Sequence, residues 1–148
     1  MTGVEAAGLD AFVERRRGPY RRYAVARLGR TPAAGEAVEQ VVGALAACWP
    51  RLVCEHSLAA GAWGLVREAV SLNGRMSLGQ GEADVLHRLL PVAVADAAVL
   101  HYRLGMRLTE AAELMGVEPS AAAGLVLAAE RGLPRALVGE LAFGPGKA

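Results

Sequence analysis

Apolar residues recur every three or four positions through most of this chain, and no stretch alternates in the two-residue rhythm of a half-buried strand. A chain with that single period buries itself by packing helices on helices, so the pattern predicts an all-α protein. At 148 residues there is material for one compact domain or two small ones, and a chain this size buries about 68–70% of its unfolded surface on folding. The hydrophobic fraction is 53% with only 5% aromatic, and the mean hydropathy is +0.28. This is a small-residue helical bundle more apolar than most, and we expect some of the surplus to meet a partner.

Punctuation divides the pattern into helices. A first helix is expected over Val4 to Arg17, ended by Gly18-Pro19, and a second over Tyr20 to Leu28. Thr31 and Pro32 have the chemistry of an N-cap and a first helical residue for a third helix reaching about Cys48, with Ala37, Val41, Leu45 and Cys48 on one stripe and Pro50 at or just past its end. A fourth spans about Ser57 to Leu72, with Leu58, Ala62, Leu65, Ala69 and Leu72 inward. The glycines between Asn73 and Gly81 break the rhythm. The reading is therefore two small helical domains, residues 1–75 and 82–148, joined by a Gly-containing linker at 76–81.

In the second half, Glu82 to Leu90 reads as a short helix and Pro91 to Leu104 as a longer one. Thr109 is expected to cap a short helix, Glu110 to Met115, that stops at Gly116, and a last long helix starts near Glu118 or Pro119 and ends before Pro134. Two short helices around a glycine turn behind a longer support have the layout of a helix-turn-helix.

The residues Leu90-Pro91, then Val99-Leu100-His101-Tyr102-Arg103-Leu104-Gly105-Met106-Arg107-Leu108-Thr109-Glu110-Ala111-Ala112-Glu113-Leu114-Met115-Gly116-Val117, resemble the fourth conserved region of extracytoplasmic-function sigma factors, where a Leu-Pro, a "vLry" run, a turn and "EIAeilGvs" follow in order. Upstream, Tyr20 to Gly29 and Glu36 to Val42 are similar to the second conserved region, and Trp63 stands where that region often has an aromatic. The resemblance implies a region-2-like bundle followed by a region-4-like helix-turn-helix, a role in transcription, and RNA polymerase core or an anti-sigma-type regulator as partner. The chain departs from the family pattern at Ala37, where the family has an aspartate, at Val41, where it has a glutamate, and in the weakly matching segment Arg67 to Arg75.

The largest departure is the last helix. A groove-reading helix needs donors for phosphates and base edges, whereas Pro119 to Glu130 carries almost none. Ala122, Val126, Ala129 and Leu133 take the inward positions, yet Ala121, Leu125 and Ala128 opposite them are apolar too. Burying one leucine is worth roughly 1.5–3 kcal/mol, and against phosphates it gains nothing. We therefore expect Ala121, Leu125 and Ala128 to bind protein, including a second copy of the chain.

Charge is uneven: Arg15, Arg16, Arg17, Arg21, Arg22, Arg27 and Arg30 have only Glu14 among them. Arg15, Arg16, Arg17, Arg21, Arg22 and Arg27 are candidates for weak, non-specific nucleic-acid contacts, against the plainer reading of a solvated helix face. Cys48, Cys54, His56, His87 and His101 have no closed tetrahedral spacing, so no metal or other cofactor is expected, and the cysteines read as small buried hydrophobes. The carboxylate pairs Glu36/Glu39 and Glu110/Glu113 lack an accompanying nucleophile, and the expectation is no enzyme. Trp49 and Trp63 read as core anchors. The longest uncharged runs fall short of the roughly 18–20 residues of a membrane span, and the acidic Glu5 and Asp10 argue against a leader, so the expected location is the cytoplasm without membrane insertion. The alternative function is a helical binding or scaffold module of sigma-like fold that holds a protein or a small apolar ligand away from promoters.

Overall fold

The computed structural model describes residues 1–76, 85–137 and 139. It is all-helical, with no strand among the described residues. In chain order the helices are α1 (Gly3–Leu28), α2 (Pro32–Leu52), α3 (Leu58–Met76), α4 (Val85–Leu89), α5 (Val92–Ala98), a π-helical turn (Val99–Arg103), α6 (Leu108–Met115) and α7 (Pro119–Gly132). The expected linker at 76–81 lies almost wholly outside the described residues.

Gly18-Pro19 does not end the first helix. α1 runs through it for 26 residues, because Leu9, Tyr20, Tyr23, Ala24 and Leu28 form one inward stripe that stays in register across the proline. A proline in a helix interior costs about 3 kcal/mol through its missing N–H and its ring. Gly18 carries no Cβ to meet that ring, and packing on both sides offsets the rest. The N-terminus is fixed by Thr2 and Glu5, each accepting from the other's backbone N–H. Pro50 likewise lies inside α2, which continues to Leu52 with Leu45, Trp49 and Leu52 buried.

On α3 the inward stripe is Ala62, Trp63, Val66, Ala69, Val70 and Asn73. It is turned slightly from the expected face, so Leu72 is 49% exposed. The reason is polar: Asn73 donates to Gln40 on α2 at 2.9 Å and to the Ala69 carbonyl at 2.7 Å, which places it and not Leu72 against the neighbouring helix. α6 begins earlier than expected, with Arg107 and not Thr109 at the cap. The Glu110 carboxylate accepts from the Arg107 backbone N–H at 3.1 Å and from its Nε at 2.9 Å.

α1, α2 and α3 pack as a three-helix layer, and α5, α6 and α7 as a second. The buried residues form one continuous cluster from Leu9 to Leu133 that includes both layers. Trp63, 1% exposed, lies at the centre with the Tyr23 ring edge-on at 4.6 Å, while Trp49, 4% exposed, stacks tilted on Phe12 at 5.6 Å, so both tryptophans anchor the core. Of the two cysteines, Cys48 is half-buried, but Cys54 is exposed just past the end of α2 and is no buried hydrophobe. No single helix among the described residues is long and apolar enough to cross a membrane.

Candidate functional site

α6 and α7 bend by 105° relative to each other, and residues 116–118 turn the corner. Gly116 makes that turn in the left-handed region at φ 74°. α7 then lays Ala122, Val126 and Ala129 into the core, and Leu133 follows, as their spacing predicts. Its outward surface is uncharged for three turns: Ala121, Gly124, Leu127 and Ala128 are exposed, Leu127 by 50%. Leu125 is half-buried and packs against the core, so it contributes only part of its surface outward. Charge appears at the far end, where Glu130 accepts a hydrogen bond from the Tyr102 hydroxyl. Partial burial, helped by that carboxylate, pushes the Tyr102 phenol up to about 12.

The six candidate arginines of α1 do not form a single free patch. Arg16 Nη1 donates to the Glu113 carbonyl at 3.4 Å and lies over the Phe12 ring, and Arg22 Nη2 donates to the Leu104 carbonyl at 2.6 Å. Arg27 Nη1 donates to the Tyr23 hydroxyl at 2.7 Å, and Arg17 pairs with Glu39 at 2.5 Å across α1 and α2. Thus Arg16 and Arg22 brace α1 against the second layer. Arg15 and Arg21 are exposed.

A buried polar cluster, which the sequence reading did not single out, joins the layers. Asp96 on α5 is fully buried, and its carboxylate accepts from Tyr23 Oη at 2.5 Å, Trp63 Nε1 at 3.0 Å and Arg67 Nε at 2.6 Å, with His87 Nε2 at 2.7 Å. Four donors from α1, α3 and α4 thus converge on one carboxylate. Burial alone would raise the Asp96 pKa, but the hydrogen bonds from His87, Tyr23 and Arg67 outweigh it and hold the carboxyl below its ordinary range. Burial pushes the Tyr23 phenol well up, and the Asp96 charge adds to it. The available signal was a lone acid in the otherwise uncharged run Val92 to Leu100; nothing in the sequence names its partners.

Between α1 and α6 lies a groove of about 670 Å³ whose floor is Phe12, Trp49, Leu58, Met106 and Leu114, with Arg15, Arg16, Glu110 and Glu113 on its rim. His101 is a satisfied helix residue, its Nδ1 bonded to the Met106 carbonyl at 2.9 Å. Among the described residues, no three His, Cys, Asp or Glu side chains gather as a metal site would require. Comparison with models of protein families, with curated proteins and with solved structures finds no match for this chain.

Proposed function

We propose that the chain is a sigma-factor-like transcription regulator whose last helix has become a protein-binding surface, and that it acts mainly through protein–protein contacts with weak or absent sequence-specific DNA binding. The observation that carries this reading is the outward face of α7, where Ala121, Gly124, Leu127 and Ala128 stand exposed in place of donors. The 105° bend at a left-handed glycine supports the helix-turn-helix assignment, a motif whose second helix reads DNA with its outward face. The segments matched to the family supply the sigma-like frame, in which a region-2-like lobe (1–75) and a region-4-like lobe (82–148) flank the linker at 76–81. Polymerase core, an anti-sigma-type regulator or a second copy of the chain is the partner in this reading.

The test combines association with DNA binding. Leu127 and Ala128 are exposed, so the double substitution Leu127→Arg/Ala128→Arg leaves the core intact and shifts Tm by no more than a few degrees. It weakens capture of polymerase or self-association, read by pull-down and light scattering, at least tenfold, because it removes buried leucine surface from the interface. The wild-type protein retards duplex DNA only weakly and loses that binding as salt rises. Unchanged association in the double variant, or tight sequence-specific duplex binding at physiological salt, would refute the proposal.

A second reading draws on the groove between α1 and α6: a helical binding module that holds a small apolar ligand between its layers. Its apolar floor and 670 Å³ volume fall in the range of small-ligand sites. A ligand found in native mass spectrometry of the purified protein distinguishes it from the first.

A further inference from the structure

A second concavity, of about 760 Å³, opens between the C-terminal half of α1, the start of α2 and the end of the π-helical turn. Arg21, Arg22, Arg30 and Arg103 all line it, and no carboxylate does. Three of these arginines are close in sequence, but Arg103 is brought to them by the fold. The turn that carries it closes with a five-residue bond, Leu104 N–H to the Val99 carbonyl at 3.0 Å, and such widened turns recur at functional positions.

Three features make this an anion site and not a solvated basic face. Four arginines line one concavity that no carboxylate lines, and although Arg22 Nη2 already donates to the Leu104 carbonyl, an anion relieves the mutual repulsion of the group. The Nε of Arg103 is buried and has no hydrogen-bond partner among the described residues, a cost that is removed when the half-buried side chain turns outward to a bound acceptor. The amino end of α2 borders the same space, its first turn holds no acidic residue, and the Thr31 hydroxyl turns away from it to the Leu28 carbonyl. The positive end of that helix is therefore left for a ligand.

The geometry points to a binding site for a small molecule that carries two or more phosphate groups on a compact body, the class of the nucleoside di- and triphosphates. One phosphate occupies one or two arginine forks, so Arg21, Arg30 and Arg103, with Arg22 beside them held by the Leu104 carbonyl, call for more than one phosphate. The floor, formed by side chains such as Val25 and Leu104, receives the apolar face of a base or sugar. A DNA duplex presents its phosphates on a convex surface, which leaves the apolar floor unfilled. This inference is independent of the α7 face, and its failure leaves the regulator reading untouched.

Calorimetric titration of the full chain with ATP, GTP, inorganic pyrophosphate, adenosine and a short duplex tests it. The triphosphates bind in the micromolar range, pyrophosphate binds more weakly, and adenosine binds at least roughly a hundredfold more weakly than ATP. Arg30→Gln, at an exposed position, and Arg103→Met each weaken triphosphate binding by roughly tenfold, while Arg51→Gln at the far end of α2 does not. Arg103→Met also keeps or raises the Tm of the ligand-free protein, because it removes an unpaired buried donor. Adenosine binding equal to ATP, wild-type affinity in both pocket variants, or binding to the duplex alone would overturn the assignment.

Discussion

Replacing Gly116 with alanine destabilises the protein by about 4 kcal/mol or more and lowers its Tm by roughly 10–20 °C, enough to leave much of it unfolded. Two independent effects add. The residue sits at φ 74°, where a Cβ costs roughly 1–2 kcal/mol. A Cβ built there would lie 2.1 Å from the Ala60 nitrogen, 2.5 Å from the Ala60 Cα and 2.8 Å from the Ala59 carbonyl carbon. All three are backbone atoms at the start of α3, so no side-chain rotation relieves the clash, and the α6–α7 corner must withdraw from the first layer. Gly124 on α7 is the control: a Cβ there meets nothing within 4 Å, and Gly124→Ala stabilises by roughly 0.5–1 kcal/mol. Thermal unfolding followed by circular dichroism compares the two, and a Gly116→Ala variant melting within a degree of wild type would disprove the close approach.

Asp96→Ala has an effect of similar size. Deleting the carboxylate leaves Trp63 Nε1, Tyr23 Oη and His87 without their acceptor in the core and removes the partner of Arg67. Breaking a buried, hydrogen-bonded pair from one side costs about 3–5 kcal/mol. Asp96→Asn keeps one acceptor oxygen in place and loses less. The same carboxylate gives stability a pH dependence of known sign. Its pKa in the folded protein lies below the ordinary 3.8, so the unfolded chain binds the proton more readily. The stabilisation is complete above about pH 4 and is lost as pH falls from there through the lower folded value. Unfolding scans between pH 7 and pH 3 therefore show a steeper acid loss in wild type than in Asp96→Asn, and parallel curves would mean that the cluster contributes no such linkage.

The last helix was readable because it needed one period and one neighbour. Ala122, Val126, Ala129 and Leu133 are spaced to face a core, and they do. The all-helical class, the position of the α6–α7 turn and the anchoring tryptophans follow from equally local rules. Local rules misjudged Gly18-Pro19, where the stripe from Leu9 to Leu28 outweighed a strong breaker, and Leu72, where a buried Asn73 turned α3 on its axis. The arginines show the same limit from the side of charge. As a string they read as one basic face, whereas Arg16 and Arg22 are committed to acceptors across the fold, Arg27 donates to Tyr23 one turn away, and Arg21 and Arg30 line one concavity with Arg103.

The amino-acid order by itself determined that this chain is a stack of helices and that its last helix offers apolar atoms on both faces, since each depends on a period of three to four residues and on side-chain chemistry alone. Only the tertiary structure decided that Tyr23, Trp63, Arg67 and His87 close on Asp96, that four arginines surround one pocket, and that Gly116 touches the backbone at Ala60. Contacts of this kind join residues separated by up to 97 positions, as between Arg16 and Glu113. Their partners are chosen by how whole helices pack, a free-energy balance that no short stretch of sequence contains.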